Sequence, residues 1–164
     1  LTLHSGMKDM SENVFLNIKN KSVTIVADVE VPAGGGEGVI LAQGGRFGGW
    51  SLYLKDGKPT YSYNYLGMQR SSVTAQDPLP AGKATVRLEF AYDGGGMGKG
   101  GVGTLYVNDQ QVGSGRIERT QAMIFSADET ADVGIDGATP VVEDYRTPRG
   151  QFSGKIGKVT VSVH

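Results

Sequence analysis

The stretch GVILAQGGRFGGWSLYLKDGKPTYSYNY, residues Gly38 to Tyr65, decides the fold. A short apolar run, Val39–Gln43, is followed by Trp50–Lys55. There Trp50, Leu52 and Leu54 fall on one face and Ser51, Tyr53 and Lys55 on the other. Asp56-Gly57 is a two-residue hairpin signal, because the favoured tight turn needs positive φ at both central positions. Tyr61, Tyr63 and Tyr65 then share one face of the returning strand. Period-two alternation on both sides of an Asp-Gly pair predicts antiparallel β structure.

The same period runs outward in both directions. Ser22–Val31 sets Val23, Ile25, Ala27, Val29 and Val31 against Thr24, Asp28 and Glu30, and Pro32 ends it. Thr60–Leu66 and Gln69–Thr74 continue the meander. Ala84–Tyr92 sets Val86, Leu88, Phe90 and Tyr92 against Thr85, Arg87, Glu89 and Ala91. Gly103–Val107 and Gln111–Ile117 flank an Asn108-Asp109 turn, Asp132–Ile135 is short, and Phe152–Val163 closes the chain. No segment carries a helical stripe over three turns; Asp9–Asn13 and Thr139–Tyr145 have room for one turn each. Short strands without intervening helices predict one all-β domain over residues 1–164, an antiparallel β-sandwich or jelly roll. The length suits the legume-lectin or laminin-G type.

Composition narrows the function. The 16 Lys and Arg residues nearly balance 17 Asp and Glu. No long-range field toward nucleic acid or an anionic membrane follows from that balance. No stretch approaches the roughly 20 apolar residues of a membrane helix. There is no cysteine, which excludes disulfides, thiolate zinc sites and a cysteine nucleophile. The start, LTLHSGMKDMSENVF, lacks the charged and apolar regions of a signal peptide and does not begin with Met. The 26 glycines cluster at Gly34–Gly38, Gly44–Gly49 and Gly94–Gly103, between alternating segments, where turns are expected.

Four strings carry a resemblance: GVILAQGGRFGGWSLYLKDGKPTYSYNYLG, LPAGKATVRLEFAYDGGGMGKGGVGTLYVND, GRIERTQAMIFSADETADVGIDGATPVVEDY and the final FSGKIGKVTV. Over roughly Gly6 to Val163 the chain resembles the C-terminal region of bacterial arylsulfatases. The resemblance implies a concanavalin-A-like lectin/glucanase sandwich. It also implies a non-catalytic accessory domain whose partner is the α/β catalytic domain of the same chain. The parent would be a sulfuric ester hydrolase, cytoplasmic or periplasmic/secreted in a bacterium. It would use a formylglycine and a divalent metal held in its other domain. The formylglycine arises in a Cys/Ser-x-Pro-x-Arg motif, and none of the six prolines here has Ser two before and Arg two after. The nearest string, Arg146-Thr147-Pro148-Arg149-Gly150, has Arg and Gly in those places. No catalytic residue is therefore carried over.

Several residues are candidates on their own chemistry. Tyr53, Tyr61, Tyr63 and Tyr65, with Trp50, are the expected platform of a carbohydrate-binding lectin-like module, the alternative function. Trp50 shares its face with Leu52 and Leu54, which is also the pattern of a core, and the tyrosine row suits inner-face packing with hydroxyls at the rim equally well. Asp128, Asp132 and Asp136, near Glu129, Glu143 and Asp144, supply oxygen ligands of the kind calcium takes, although the spacing is no EF-hand. Solvated loop carboxylates are the plainer reading. Arg116, Glu118 and Arg119, with Arg46 and Arg70, are candidates for docking the catalytic domain or contacting sulfate, since arginine forks suit planar oxyanions, and Asp128 and Glu129 are further docking candidates; an exposed strand face with salt links is the plainer reading. Gly96-Met97-Gly98-Lys99-Gly100-Gly101 matches G-x-G-x-x-G in form, but a strand comes after it where a phosphate site needs a helix, so it reads as a hairpin loop. Glu89 and Glu118 are the carboxylates a stand-alone glycosidase would set about 5–9 Å apart. His4 and His164 lie near the chain ends without a Ser or Asp partner at a defensible spacing. Docking predicts an exposed apolar patch beyond the few hundred Å² usual for a monomer.

Overall fold

The computed structural model describes residues Leu1–His164 and contains eleven strands. They are β1 (Thr2–His4), β2 (Val23–Val31), β3 (Gly38–Gly45), β4 (Gly48–Lys55), β5 (Lys58–Tyr65), β6 (Gln69–Thr74), β7 (Gly82–Tyr92), β8 (Gly101–Val107), β9 (Gln110–Ile117), β10 (Ala131–Val133) and β11 (Lys155–Val163). Two antiparallel sheets form, in the orders β1-β11-β2-β7-β8-β9 and β10-β3-β4-β5-β6. All but β1 were expected; three residues are too few to show a period. The one helical turn is 3-10, at Pro148–Gly150, in neither place expected for a turn of helix. At the first of those places the chain does turn one step later, Phe15 N–H donating to Ser11 O at 3.1 Å. No helix is long and apolar enough to cross a membrane.

Side-chain alternation places the core between the sheets. Val23, Ile25, Ala27, Val29 and Val31 of β2 point inward beside Val86, Leu88 and Phe90 of β7, all buried. Trp50, Leu52 and Leu54 of β4 face them from the other sheet, with Tyr61 and Tyr63 of β5. The Asp56-Gly57 turn fixes that pairing. Both residues have positive φ, 51° and 74°, as a type I′ turn demands. Counting outward from it, Lys55 meets Lys58, Leu52 meets Tyr61 and Trp50 meets Tyr63. Directly opposed residues share a face, so the tyrosines join the tryptophan in the core.

Two irregularities break the alternation. In β3 the register shifts between Val39 and Leu41, so Ile40 and Leu41 both enter the main core while Val39 and Ala42 face outward. In β11 a shift between Ile156 and Val159 likewise turns both of those residues inward. A bulge adds one residue to one strand and re-aims the side chains beyond it. At the β3–β4 turn, Gly44 (φ +87°) lies against the partner backbone. A Cβ there would sit 2.2 Å from Gly48 O, so the glycine run is a steric requirement of this hairpin.

In the five-stranded sheet β3, β4 and β5 are buried on both faces, while the outer face of edge strand β6 is exposed. Residues 136–150 cross its outer side, where Val141 and Val142 join Val39, Ala42 and Tyr53 in a second, small cluster. That crossing segment shapes the candidate site.

Candidate functional site: the outer face of the five-stranded sheet

The hairpin registers align the outer face in rows. Ala42, Ser51, Ser62 and Ser72 form one row; Val39, Tyr53, Thr60 and Thr74 the next; Asn64 and Arg70 pair in a third. The face turns from apolar to hydroxyl-bearing on going from β3 to the sheet edge at β6. The crossing segment covers the apolar half. Asn64 Nδ2 donates to Arg46 O at 2.8 Å and to Val141 O at 3.1 Å, and Arg70 Nε donates to Val141 O at 3.4 Å. Arg70, Ser72 and Thr74 remain exposed beside the segment as a shallow shelf.

A chain of hydrogen bonds leads from the shelf inward. Asp144 pairs with Lys55 Nζ at 2.6 Å and accepts from Tyr53 Oη at 3.1 Å. Tyr53 Oη is 3.1 Å from Ser62 Oγ, which is 2.6 Å from Ser72 Oγ. An ionised carboxylate only accepts. Tyr53 therefore donates to Asp144 and accepts from Ser62, and Ser62 accepts from Ser72. The array is polarised, with Lys55 and Asp144 at one end and the exposed Ser72 at the other. Burial raises the Tyr53 pKa, so the phenol stays a donor.

A second latch lies deeper. Asp136 Oδ2 accepts from Val141 N–H at 2.7 Å and from Tyr145 Oη at 2.5 Å; Tyr145 Oη is also 2.9 Å from Ser51 Oγ. The Tyr145 and Tyr53 rings meet edge-on, with centroids 5.2 Å apart. Burial pushes the Asp136 pKa up to about 7, against the pull of its two hydrogen bonds and with help from the Asp132 and Glu129 carboxylates. This pair holds the crossing segment down.

The structure redistributes the residues that the sequence singled out. Tyr61 and Tyr63 are 3% and 4% exposed, and Tyr63 Oη accepts from Gln121 N–H, so no sugar stacks on them. The hairpin register is the reason: it sets them opposite Leu52 and Trp50 on the inner face. Tyr53 alone of these belongs to the outer face, and there it is 1% exposed beneath the crossing segment and Tyr145, so no sugar stacks on it either. Tyr65 is half-buried at the loop end, where the Arg119 guanidinium lies 5.6 Å from its ring centroid.

Asp128, Asp132 and Asp136 do not come together as cation ligands, and no group of three or more His, Asp or Glu side chains is disposed to hold a metal ion. Asp132 is spent on the backbone N–H groups of Asp9 and Gly137, Asp136 on Val141 N–H and the Tyr145 hydroxyl, and Asp128 is exposed. The docking candidates are likewise dispersed in role. Arg116 forks onto Asp93, while Glu129 accepts from Thr139 Oγ1 at 2.5 Å and ties down a loop. Glu89 pairs with Arg87 and Glu118 with Arg116. His164 Nε2 meets Thr24 Oγ1 of β2, on the other sheet from Tyr53. The glycine-rich loop joins β7 to β8, as expected, and is pinned by Asn20 Oδ1 accepting from Gly98 N–H.

Sequence reading passed over Ser62, Ser72 and Thr74, and weighed Asp144 only as a carboxylate near a cation loop. The signal was present for three of them: they lie on the face that Tyr53 occupies once register is counted from the turns. Asp144 carried none, because its segment has no period.

No family model matches the chain, and no curated protein matches it. Solved structures do. Mouse laminin α1 domains LG4-5 match at a TM-score of 0.59 and 17% identity, over 100% of this chain and 40% of that one. The Ruminococcus gnavus IT-sialidase CBM40 bound to α2,6 sialyllactose matches at 0.65 and 14%, over 100% and 93%. The heptameric SAP-like pentraxin of Limulus polyphemus matches at 0.52 and 15%, over 98% and 74%. The chain thus spans less than half of the laminin fragment and nearly all of the sialidase module. At these identities the likeness establishes the fold, an all-β, lectin-like jelly roll. None of the three is a sulfatase.

Proposed function

We propose that this chain is a carbohydrate-binding, lectin-like module that holds a glycan on the outer face of its five-stranded sheet. The observation that carries this reading is the polarised array Lys55–Asp144–Tyr53–Ser62–Ser72, which ends on an exposed hydroxyl beside Arg70 and Thr74. Sugar hydroxyls both donate and accept. A fixed set of donors and acceptors on a rigid sheet meets them without much ordering cost. The match to a sialidase module bound to sialyllactose supports the same reading at the level of fold. The test is a glycan array and then isothermal titration calorimetry. A binder is expected, and Ser72→Ala should weaken it roughly three- to tenfold, the worth of one hydrogen bond. An array without any binder defeats the reading.

A second reading has its own observation. One end of the sandwich exposes Phe47 (75%), Met68 (72%), Met123 (74%), Met97, Ile124 and Leu66. Tyr65, Leu66, Met97, Arg119, Met123 and Ile124 line a groove there of about 490 Å³. Apolar side chains gathered on several loops mark an interaction surface. This fits the accessory domain of an arylsulfatase, docked by its loop end on the α/β catalytic domain of the same polypeptide. Mixed with that catalytic domain, this chain should form a complex in sedimentation velocity, and Met123→Asp with Phe47→Asp should abolish it. No complex with the unaltered chain rules the docking out.

A further inference from the structure

We infer that the glycan taken by the shelf carries an oxyanion, a carboxylate or sulfate on one of its sugars, and that Arg70 holds it. The inference rests on the glycan-binding reading of this face. Arg46, Arg87, Arg116 and Arg146 each have a carboxylate within 4.0 Å, Arg119 lies over Tyr65, and Arg149 is exposed in the crossing segment, away from the shelf and without a carboxylate. Arg70 has no carboxylate within that distance, in a chain whose acids slightly outnumber its cations.

Its placement separates it from an ordinary solvated arginine. The Nε–H reaches Val141 O at 3.4 Å, a long contact that orients the guanidinium and leaves its terminal N–H groups without a partner in the protein. A planar fork held in this way matches a carboxylate or sulfate edge with two parallel hydrogen bonds. Lys55 is neutralised by Asp144 at 2.6 Å and Arg46 faces Glu143 at 3.5 Å, which leaves two cations of this face without a carboxylate: Arg70 on the shelf itself, and Lys58, opposite Lys55 beyond Thr74. Ser72 and Thr74 succeed Arg70 on the same face at two-residue steps. Four residues of antiparallel strand span about 14 Å. An oxyanion at Arg70 thus leaves the neighbouring sugars over the two hydroxyls.

The experiment compares neutral, sialylated, uronic-acid and sulfated glycans on an array. Matched pairs, such as lactose, sialyllactose and sulfated lactose, then go to calorimetry with the wild-type chain, Arg70→Gln and Arg70→Lys. Acidic forms should bind at least tenfold more tightly than neutral counterparts, since charge-assisted hydrogen bonds are the strong ones. Arg70→Gln should erase that preference and its salt dependence, so that acidic and neutral forms bind alike. Arg70→Lys, which keeps the charge and loses the fork, should restore part of it. The carboxylate and sulfate arms report which oxyanion the fork prefers. Equal binding of neutral and acidic glycans, or a preference untouched in Arg70→Gln, overturns the role of Arg70 and leaves glycan binding standing. Absence of every glycan overturns both. Equal thermal melting of the variants shows that the exposed substitution has not unfolded the sheet edge.

Discussion

Trp50→Ala should destabilise the domain by about 4 kcal/mol, the middle of the range for deleting a large buried aromatic. Trp50 is fully buried, between Phe15 at 6.2 Å and Tyr61 at 6.3 Å between ring centroids. Its indole N–H donates to Gln43 Oε1 at 3.1 Å, and Gln43 is itself buried. Truncation opens a cavity at the middle of the sandwich and strands a buried amide oxygen, and both effects have the same sign. In a domain of this size the melting temperature should fall by roughly 10 °C. Trp50→Phe keeps most of the volume and loses only the hydrogen bond, so it should cost about 1–2 kcal/mol. Urea denaturation of both variants measures this. A loss below about 1 kcal/mol for Trp50→Ala would mean that the indole does not fill the centre of the core.

Stability should fall as pH rises from 4 to 7, and Asp136 should be the cause. Its carboxyl is lifted from 3.8 to about 7 by burial. Between those values the native state keeps a proton that the unfolded chain releases, so raising the pH favours unfolding. The contribution is fully present below the unfolded value and gone above the folded one, on the order of 4 kcal/mol over the window. Tyr145 and Val141 N–H face the carboxylate as donors, and Asp132 and Glu129 add negative charge behind it. Asp136→Asn keeps an oxygen for both donors and never ionises. The variant should match the wild type near pH 4 and exceed it at pH 8, with the difference titrating near 7. Denaturant midpoints from pH 4 to 8 read this directly. Parallel curves for the two proteins would show that Asp136 ionises without cost and that the latch is open to water.

The two effects differ in how visible their origins were. Trp50 alternates with Ser51, shares its face with Leu52 and Leu54, and lies near an Asp-Gly turn; each of these is a local property of the chain. The positions of Tyr61 and Tyr63 were equally local, since a two-residue turn leaves one register. The tyrosine row admitted a sugar platform and inner-face packing alike, and cross-strand pairing with Trp50 and Leu52 commits Tyr61 and Tyr63 to the interior. Asp136 had no such signal. It sits in an aperiodic run, Gly134 to Gln151, rich in Gly, Pro and acidic residues, which reads as a solvated rim before it reads as a cation loop.

By itself the amino-acid sequence determined the strands, the antiparallel turns and which face of each strand is apolar, because period two and turn chemistry act between residues a few positions apart. Tertiary structure alone decided the bulge that turns Ile40 and Leu41 inward together, the path of residues 136–150 across the outer face, and the meeting of Asp144 with Tyr53 and of Asp136 with Tyr145. Those contacts join groups up to 91 positions apart. What selects them is the need to pair every polar group that the covering segment removes from water, a condition met only once both sheets are in place.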